Sequence, residues 1–391
     1  MQDLPGKLAA KIEKRKTDNA LRSLGGCDGS VDFFSNDYLG FGKSETIFKR
    51  APQILKAHNF ETNGATGSRL LSGNHPLYET AEKQIAAFHN VERALIFNSG
   101  YAANIGLLSS VPQRGDLVFY DELCHASIRD GIQMGRARAY KFRHNDVGDL
   151  TKKCNMLRRL ERTAGSSGPN GTTAVYVVTE SVFSMDGDAP NLKHLASFCT
   201  ENGYRLIVDG AHAVGVVGDR GEGLVQKSAL EGTVFARVVT FGKALGCHGA
   251  AVLGSTALCE YLFNFGRSFI YTTGLPPHAI ATVIAAYGQL AGAASTIGLL
   301  HNNISKLRYE IERNGLKDRF PKSGSAIHAC LVPTNDRVKK VALQLQREGY
   351  GVKPVLSPTV PMGQERLRIC VHSFNSGNEI ERLCKLLCGF I

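Results

Sequence analysis

Paired-cysteine motifs are absent from this chain. Its ten cysteines are scattered, with no Cys-x-x-Cys and no zinc spacing. Cys384 and Cys388 stand one helical turn apart, the spacing of residues that pack into a core. Thiols dispersed in this way predict a reducing compartment, the cytoplasm. No apolar run reaches membrane length, and Met1-Gln2-Asp3-Leu4-Pro5 has no apolar signal core. Neither a membrane partner nor a secretory leader is therefore expected. The closing Gly389-Phe390-Ile391 is not a peroxisomal address.

Other absences narrow the chemistry. Lys+Arg outnumber Asp+Glu by 46 to 35, for a net charge of +11. Yet no block of about five basic residues occurs, so no nucleic-acid partner is expected. Anionic small ligands, such as a phosphate cofactor or coenzyme A, suit the same charge, as does a merely soluble basic surface. Gly242-Lys243 is not part of a P-loop. Ala244 follows where Ser or Thr is needed, and Arg237 stands five residues before Gly242 where a Gly is needed. Asp186 and Asp188 flank Gly187, but the remaining ligands of a calcium loop are missing, so no metal is expected.

What is present is a chain of 391 residues, enough for one large core and a smaller domain, with 43% apolar and 21% charged residues. Leu8 to Leu21 has the spacing of an amphipathic helix. Between Ala94 and Gly254 short apolar runs alternate with helical patterns, which predicts an α/β fold with a mostly parallel central sheet covered on both faces. Strands are expected at Ala94–Phe97, Leu117–Asp121, Ala174–Val178, Tyr204–Val208, Val238 onward and Ala250–Gly254. Helices are expected at Leu77–Phe88, from Gly100, at Glu122–Met134 and at Leu258–Phe265. Phe269 to Pro277 reads as a loop, and Ala164 to Gly171 as a polar Gly/Ser loop. From Gly315 the pattern becomes a small α+β domain, with strands at Ala326–Pro333 and Leu367–His372 and helices at Val338–Glu348 and Glu379–Leu387. The divisions are drawn at 1–45 for an N-terminal helix and extension, 46–290 for the large domain, and 291–391 for a linking helix and the C-terminal domain.

Two of the apolar runs end in polar groups. One leads into Asp209-Gly210-Ala211-His212, the other into Thr240-Phe241-Gly242-Lys243. Ligand chemistry in open parallel sheets gathers at the carboxyl ends of the strands. Pyridoxal 5'-phosphate (PLP) needs an amine for a Schiff base and a carboxylate that keeps its ring nitrogen protonated. Lys243 and Asp209 match those needs. A strand also ends in Asn98-Ser99-Gly100, where a helix begins. The free N–H groups there, with Gly100 and Tyr101 contributing, form a candidate phosphate cup. Arg368 alternates with apolar neighbours in a strand and has reason to face an anion. Taken alone, Asp209 is equally a helix cap, Asn36 an Asx turn, Arg22 a helix-end charge, and His125 a histidine packed at a helix start.

The runs Thr240-Phe241-Gly242-Lys243-Ala244-Leu245-Gly246 and Asp209-Gly210-Ala211-His212 resemble the α-oxoamine synthase family of fold-type I PLP enzymes. Phe33-Phe34-Ser35-Asn36-Asp37-Tyr38-Leu39-Gly40 and Glu180-Ser181-Val182-Phe183-Ser184-Met185-Asp186-Gly187-Asp188 strengthen the likeness, which spans nearly the whole chain. The resemblance implies the fold-type I PLP-dependent transferase fold, with a large PLP-binding domain and a small C-terminal α+β domain. It implies that Lys243 carries the cofactor and acts as general base, and that His125 stacks on the ring. His212 would bond near the ring oxygen, and Ser184 and Thr240 would fix the cofactor. A Thr matching Thr273 reaches the neighbouring subunit's phosphate, which implies a homodimer with shared active sites. Arg368 would grip the amino-acid carboxylate, with Arg22, Asn36 and Thr359 at the substrate pocket.

The implied reaction joins an amino acid to an acyl thioester with loss of carbon dioxide and the thiol carrier. The motif wording points to L-alanine and a pimeloyl thioester, carried by coenzyme A or acyl carrier protein. Glycine with acetyl- or succinyl-coenzyme A, and serine with a long acyl thioester, are the sister chemistries. Two positions depart from the family: Gly210, where relatives carry an acidic residue, and Leu356, where some members carry an Arg.

Overall fold

The computed structural model describes residues 4–22, 24–25, 29–163 and 173–391. The expected Gly/Ser loop at 164–171 lies outside the described residues. The chain divides into two compact units, one of residues 37–184 and 188–298, the other of residues 1–36, 185–187 and 299–391.

The large unit is built on one seven-stranded sheet. In chain order its strands are Arg93–Phe97, Leu117–Asp121, Arg138–Phe142, Val175–Glu180, Arg205–Asp209, Ala236–Thr240 and Ala250–Gly254. Across the sheet the first strand is followed by the seventh, sixth, fifth, fourth, second and third. Ala250–Gly254 runs antiparallel to both neighbours, and every other pairing is parallel.

Residue parity explains the near-continuous apolar runs. Val118, Tyr176, Val178 and Ile207 enter one core, packed with Leu107, Ile128 and Leu262. Their neighbours Leu117, Phe119, Val177, Leu206 and Val208 enter a second core with Leu150, Leu192 and Leu195. A sheet covered on both faces leaves only its strand ends for polar side chains. Asp121, Glu180, Asp209 and Thr240 occupy the carboxyl ends of four parallel strands.

The small unit holds a three-stranded antiparallel sheet with Arg366–Cys370 between Lys353–Val355 and Ile327–Leu331. Leu367 and Ile369 face a core with Val338, Leu345, Leu383 and Leu387. Those last residues come from the helices Asn335–Arg347 and Gly377–Phe390. Ser376 and Glu379 close a capping box at the start of the second helix. The helix Ala294–Arg313 carries the chain from the large unit into the small one. No single helix among the described residues is long and apolar enough to cross a membrane.

Several boundaries differ from the sequence expectation for identifiable reasons. The first helix is Gly6–Thr17 and stops before Ala20 and Leu21, because Asn19 takes a left-handed φ of 47°. A two-residue strand, Val31–Asp32, precedes the motif that begins at Phe33. The Asp32 carboxylate accepts the N–H groups of Phe34 and Ser35, both at 2.9 Å, and turns the chain away. The helix expected from Glu122 starts at Ala126, because the Asp121 carboxylate accepts the Leu123 N–H at 2.9 Å and holds 122–124 as a turn. Part of the loop expected from Phe269 belongs to a short helix, Arg267–Ile270.

One half-buried charge cluster ties the end of the strand Leu117–Asp121 to the loop after Val175–Glu180. His144 places Nδ1 2.9 Å from Asp121 Oδ1 and Nε2 2.8 Å from Asp188 Oδ2. Burial alone lowers its proton affinity, but the hydrogen bonds to Asp121 and Asp188 outweigh burial and raise the pKa to about 10. An unfolded histidine titrates near ~6.5. The folded pKa is the higher one, so the cluster's stabilisation is complete below ~6.5 and is lost as pH rises through about 10. Urea midpoints measured from pH 6.5 to 10 should therefore fall further in the parent than in a His144→Gln variant. Parallel curves would show that the cluster contributes nothing.

Candidate active site

The site begins with a main-chain contact between two strand ends. Asp209 pairs with Val238 across the parallel strands Arg205–Asp209 and Ala236–Thr240. One residue on, Gly210 donates its N–H to the Val238 carbonyl at 2.7 Å. Thr240 Oγ1 reaches the Ala211 carbonyl at 3.4 Å. The loops that carry Asp209 and Lys243 thus leave the sheet side by side.

Lys243 sits in a tight loop. Phe241 N–H bonds Gly249 O at 2.9 Å, Cys247 N–H bonds Phe241 O at 2.7 Å, and Gly246 N–H bonds Lys243 O at 2.9 Å. Gly246 takes a φ of 61°, and a Cβ there would lie 2.1 Å from the Gly42 amide nitrogen. Only glycine satisfies both conditions.

Asp209 is 7% exposed. Its Oδ1 accepts the Ala211 N–H at 2.9 Å and its Oδ2 accepts Asn104 Nδ2 at 2.7 Å. A carboxylate oxygen has two acceptor positions, so one on each oxygen remains for a ring N–H. Glu180, at the end of the next strand, accepts the His125 N–H at 2.5 Å. Burial and then the Asp209 charge raise the Glu180 pKa to about 8, against the opposing pull of the His125 N–H and Lys243. Burial lowers the His125 pKa, with Asp209 opposing and Lys243 assisting. Asp209 and Lys243 are therefore both within electrostatic reach of Glu180 and His125.

The helix Gly100–Ser110 starts beside these groups. A Cβ on Gly100 would lie 2.5 Å from Thr240 Cγ2, so only a bare backbone fits. Ser99 caps the helix by accepting the Ala102 N–H. The N–H groups of Gly100 and Tyr101 have no acceptor one turn back, and the helix dipole favours an anion there. The Tyr101 side chain turns elsewhere, donating to Asp130 Oδ2 at 2.7 Å. An anion-favouring helix start beside a buried carboxylate is a combination that fits PLP.

His212 is buried, with Nδ1 2.8 Å from Tyr38 Oη. Ser184 is half-buried in the turn after Phe183. Thr273 is exposed, and its carbonyl is held by Asn98 Nδ2 at 2.7 Å. In the small unit the residues expected at the substrate pocket form two pairs. Arg368 Nη2 donates to Asn36 Oδ1 at 2.9 Å and Nη1 to Cys370 Sγ at 3.0 Å. Arg22 Nη2 lies 3.4 Å from Thr359 Oγ1. The acidic pair Asp186 and Asp188 is divided: Asp186 bonds Arg366, and Asp188 bonds His144.

Sequence reading assigned no role to Asn104, Ser127, Glu180 or Tyr38. One signal was available for Asn104, a lone polar residue in the apolar run Ala102 to Leu108, one turn after Gly100. The two departures have visible surroundings. A Cβ on Gly210 would press to 3.2 Å from the Val238 carbonyl that accepts Gly210's own N–H. Leu356 packs against the small unit's core.

The sheet order, the strand-end site and the small α+β unit define a fold-type I PLP-dependent enzyme. Residues 29–387 match the family described as "Aminotransferase class I and II". The 8-amino-7-oxononanoate synthase of Emericella nidulans is 39% identical over 376 residues, covering 93% of this chain and 89% of that protein. A solved 8-amino-7-oxononanoate synthase from Francisella tularensis is 26% identical with a TM-score of 0.74, covering 93% of this chain and 98% of that one. A serine palmitoyltransferase variant from S. paucimobilis with bound PLP and myriocin is 25% identical with a TM-score of 0.84, covering 98% and 96%. The chain belongs to the class I and II aminotransferase family, and within it to the group of the oxononanoate synthases.

The Lys243 loop yields a test. Gly246→Ala should lower stability by about 1–2 kcal/mol or more, from the left-handed φ and the Gly42 contact. It should also lower the fraction of protein that retains PLP. Denaturant melts and cofactor absorbance check both, and a variant equal to the parent in each would remove the constraint on this loop.

Proposed function

We propose that this chain is a PLP-dependent acyltransferase of biotin biosynthesis. It joins L-alanine to a pimeloyl thioester, carried on coenzyme A or acyl carrier protein, and yields 8-amino-7-oxononanoate, carbon dioxide and the free thiol. The reading is supported most by the joint reach of Asp209 and Lys243 to His125 and Glu180 at neighbouring strand ends. The identity to the Emericella nidulans synthase supports the same substrates.

When bound, PLP supplies an aldehyde that captures the amino group and a protonated ring that draws off negative charge. Asp209 holds the ring proton in place. Lys243 would hold the cofactor through its amine and would serve as the base for the alanine Cα proton. Gly100 and Tyr101 offer backbone N–H groups to the phosphate, and Thr240 and Ser184 fix its neighbours. His125 stacks on the ring face. His212, held at Nδ1 by Tyr38 Oη, is assigned to the neighbourhood of the ring oxygen. Arg368, oriented by Asn36, grips the alanine carboxylate, with Arg22 and Thr359 lining the pocket.

Thr273 is assigned to the phosphate of the neighbouring subunit, in a homodimer that shares its active sites. The large unit exposes Leu71 at 87% and Tyr271 at 71%, apolar surface suited to burial against a second copy. None of the nine described cysteines is in a disulfide, in keeping with a cytoplasmic enzyme.

Lys243→Ala should lose turnover by a factor on the order of 10²–10⁴ or more. Full activity in that variant would overturn the assignment. Arg368→Lys should raise KM for the amino acid about tenfold or more, because a single ammonium cannot replace the bidentate grip. An unchanged KM would place the carboxylate elsewhere. Alanine, glycine and serine assayed against acyl thioesters of several lengths decide the substrates, and a clear preference for glycine or serine would displace the proposal.

A further inference from the structure

We infer that Asn104 is a positioning residue whose single amide group sets both the Asp209 carboxylate and the tautomer of His125. The inference rests on the reading of those two residues as groups that face the cofactor. Asn104 is 2% exposed. Its Nδ2 lies 2.7 Å from Asp209 Oδ2 and 3.0 Å from Ser127 Oγ. The amide nitrogen carries two hydrogens and no acceptor lone pair, so it donates to both partners. The opposite flip would set the amide oxygen against a carboxylate oxygen.

The direction of the remaining bonds follows. Ser127 Oγ accepts from Asn104, so its own hydrogen is available to His125 Nδ1 at 2.8 Å. The Ser127 backbone N–H points at the same nitrogen from 3.2 Å, where His125 caps the helix Ala126–Met134. Two donors converge on Nδ1, so Nδ1 must be a bare acceptor and the ring proton sits on Nε2. A chain of donors thus runs from one amide in two directions. One branch steadies the negative group, and the other fixes a neutral imidazole with its N–H at the far side of the ring. Burial, the first cause of the lowered His125 pKa, favours the same neutral form.

Other charged groups bear on the pair. Glu180 faces Asp209 from the adjacent strand, and Lys243 from the loop after Thr240. Arg129 and Asp130 act on His125 from its own helix, and Cys124 and Asp121 lie on the strand-end turn before it. His212 follows Asp209 in the same loop. None of them supplies the donor that Asn104 gives to both branches.

The test reads the histidine directly. Cofactor-free protein labelled with ¹⁵N-histidine gives each ring's tautomer from long-range ¹H–¹⁵N correlations, with His125 assigned by its absence in His125→Asn. The expected result at neutral pH is a neutral ring protonated on Nε2; protonation on Nδ1, or on both nitrogens, would overturn the inference. Asn104→Asp is nearly isosteric and replaces the donor with an acceptor. It should reverse the Ser127 hydroxyl and weaken the Nε2–H signature. It should also move the acid limb of kcat/KM up by about 1–2 pH units, the worth of one hydrogen bond to a charged group. Ser127→Ala cuts only the histidine branch, so it should alter the His125 signal and leave that limb in position. Wild-type signal and limb in both variants would sink the idea. If Asn104→Asp does not fold, the parent spectrum and Ser127→Ala still decide. The histidine signal is read without cofactor or substrate, so its outcome is separate from that of the acyl-transfer reading.

Discussion

The bond from Gly210 N–H to the Val238 carbonyl, 2.7 Å long, is the contact on which the candidate site depends. It extends the pairing of two parallel strands by one residue beyond the sheet. Without it, the loop after Asp209 and the loop that holds Lys243 would leave the strand ends independently. The main-chain bond keeps the two strand ends in register where the acid and the amine leave the sheet. Gly210 suits this geometry, because any Cβ would crowd the very carbonyl that accepts the bond.

Burial around that contact governs the electrostatics. Asp209 and Glu180 are withdrawn from water, and His125 stands beside them on a more open turn, so the two carboxyl groups act strongly on each other. Glu180 is pushed toward its neutral form and His125 toward its neutral form. Asn104 and the Ala211 backbone both donate to the Asp209 carboxylate beside them. The site separates its ionisable groups by environment, as pairs of like groups must when they share a pocket.

Much of this could be read from the chain alone. The buried strands were legible because both faces are covered, which makes their sequences apolar without interruption. Asp209 and Lys243 stood out as polar ends on such runs. Arg138–Phe142 did not read as a strand, since its exposed residues include Arg138 and Lys141. Helix starts were misplaced where a side chain intervened, as the Asp121 carboxylate does at Leu123. Asn104 and Tyr38 were illegible for another reason. Asn104 lies 105 positions from Asp209 in the chain, and Tyr38 lies 174 from His212. Their meaning depends on which segments become neighbours, and no local pattern carries that. Arg368 was legible as a charge alternating with apolar neighbours in a strand, whereas its partner Asn36, 332 positions away, was named through family likeness.

The charged outer strand has a consequence for the molecule in a crowded solution. Among the described residues Arg138–Phe142 is an edge strand of the sheet, with the Lys141 carbonyl accepting from Lys153 Nζ at 2.7 Å and no further strand beside it. Such an edge is a template on which another chain can add itself. Arg138 and Lys141 repel a second copy of the same basic strand. The protein can thus keep a seven-stranded, mostly parallel sheet while resisting growth into a fibre from its open border.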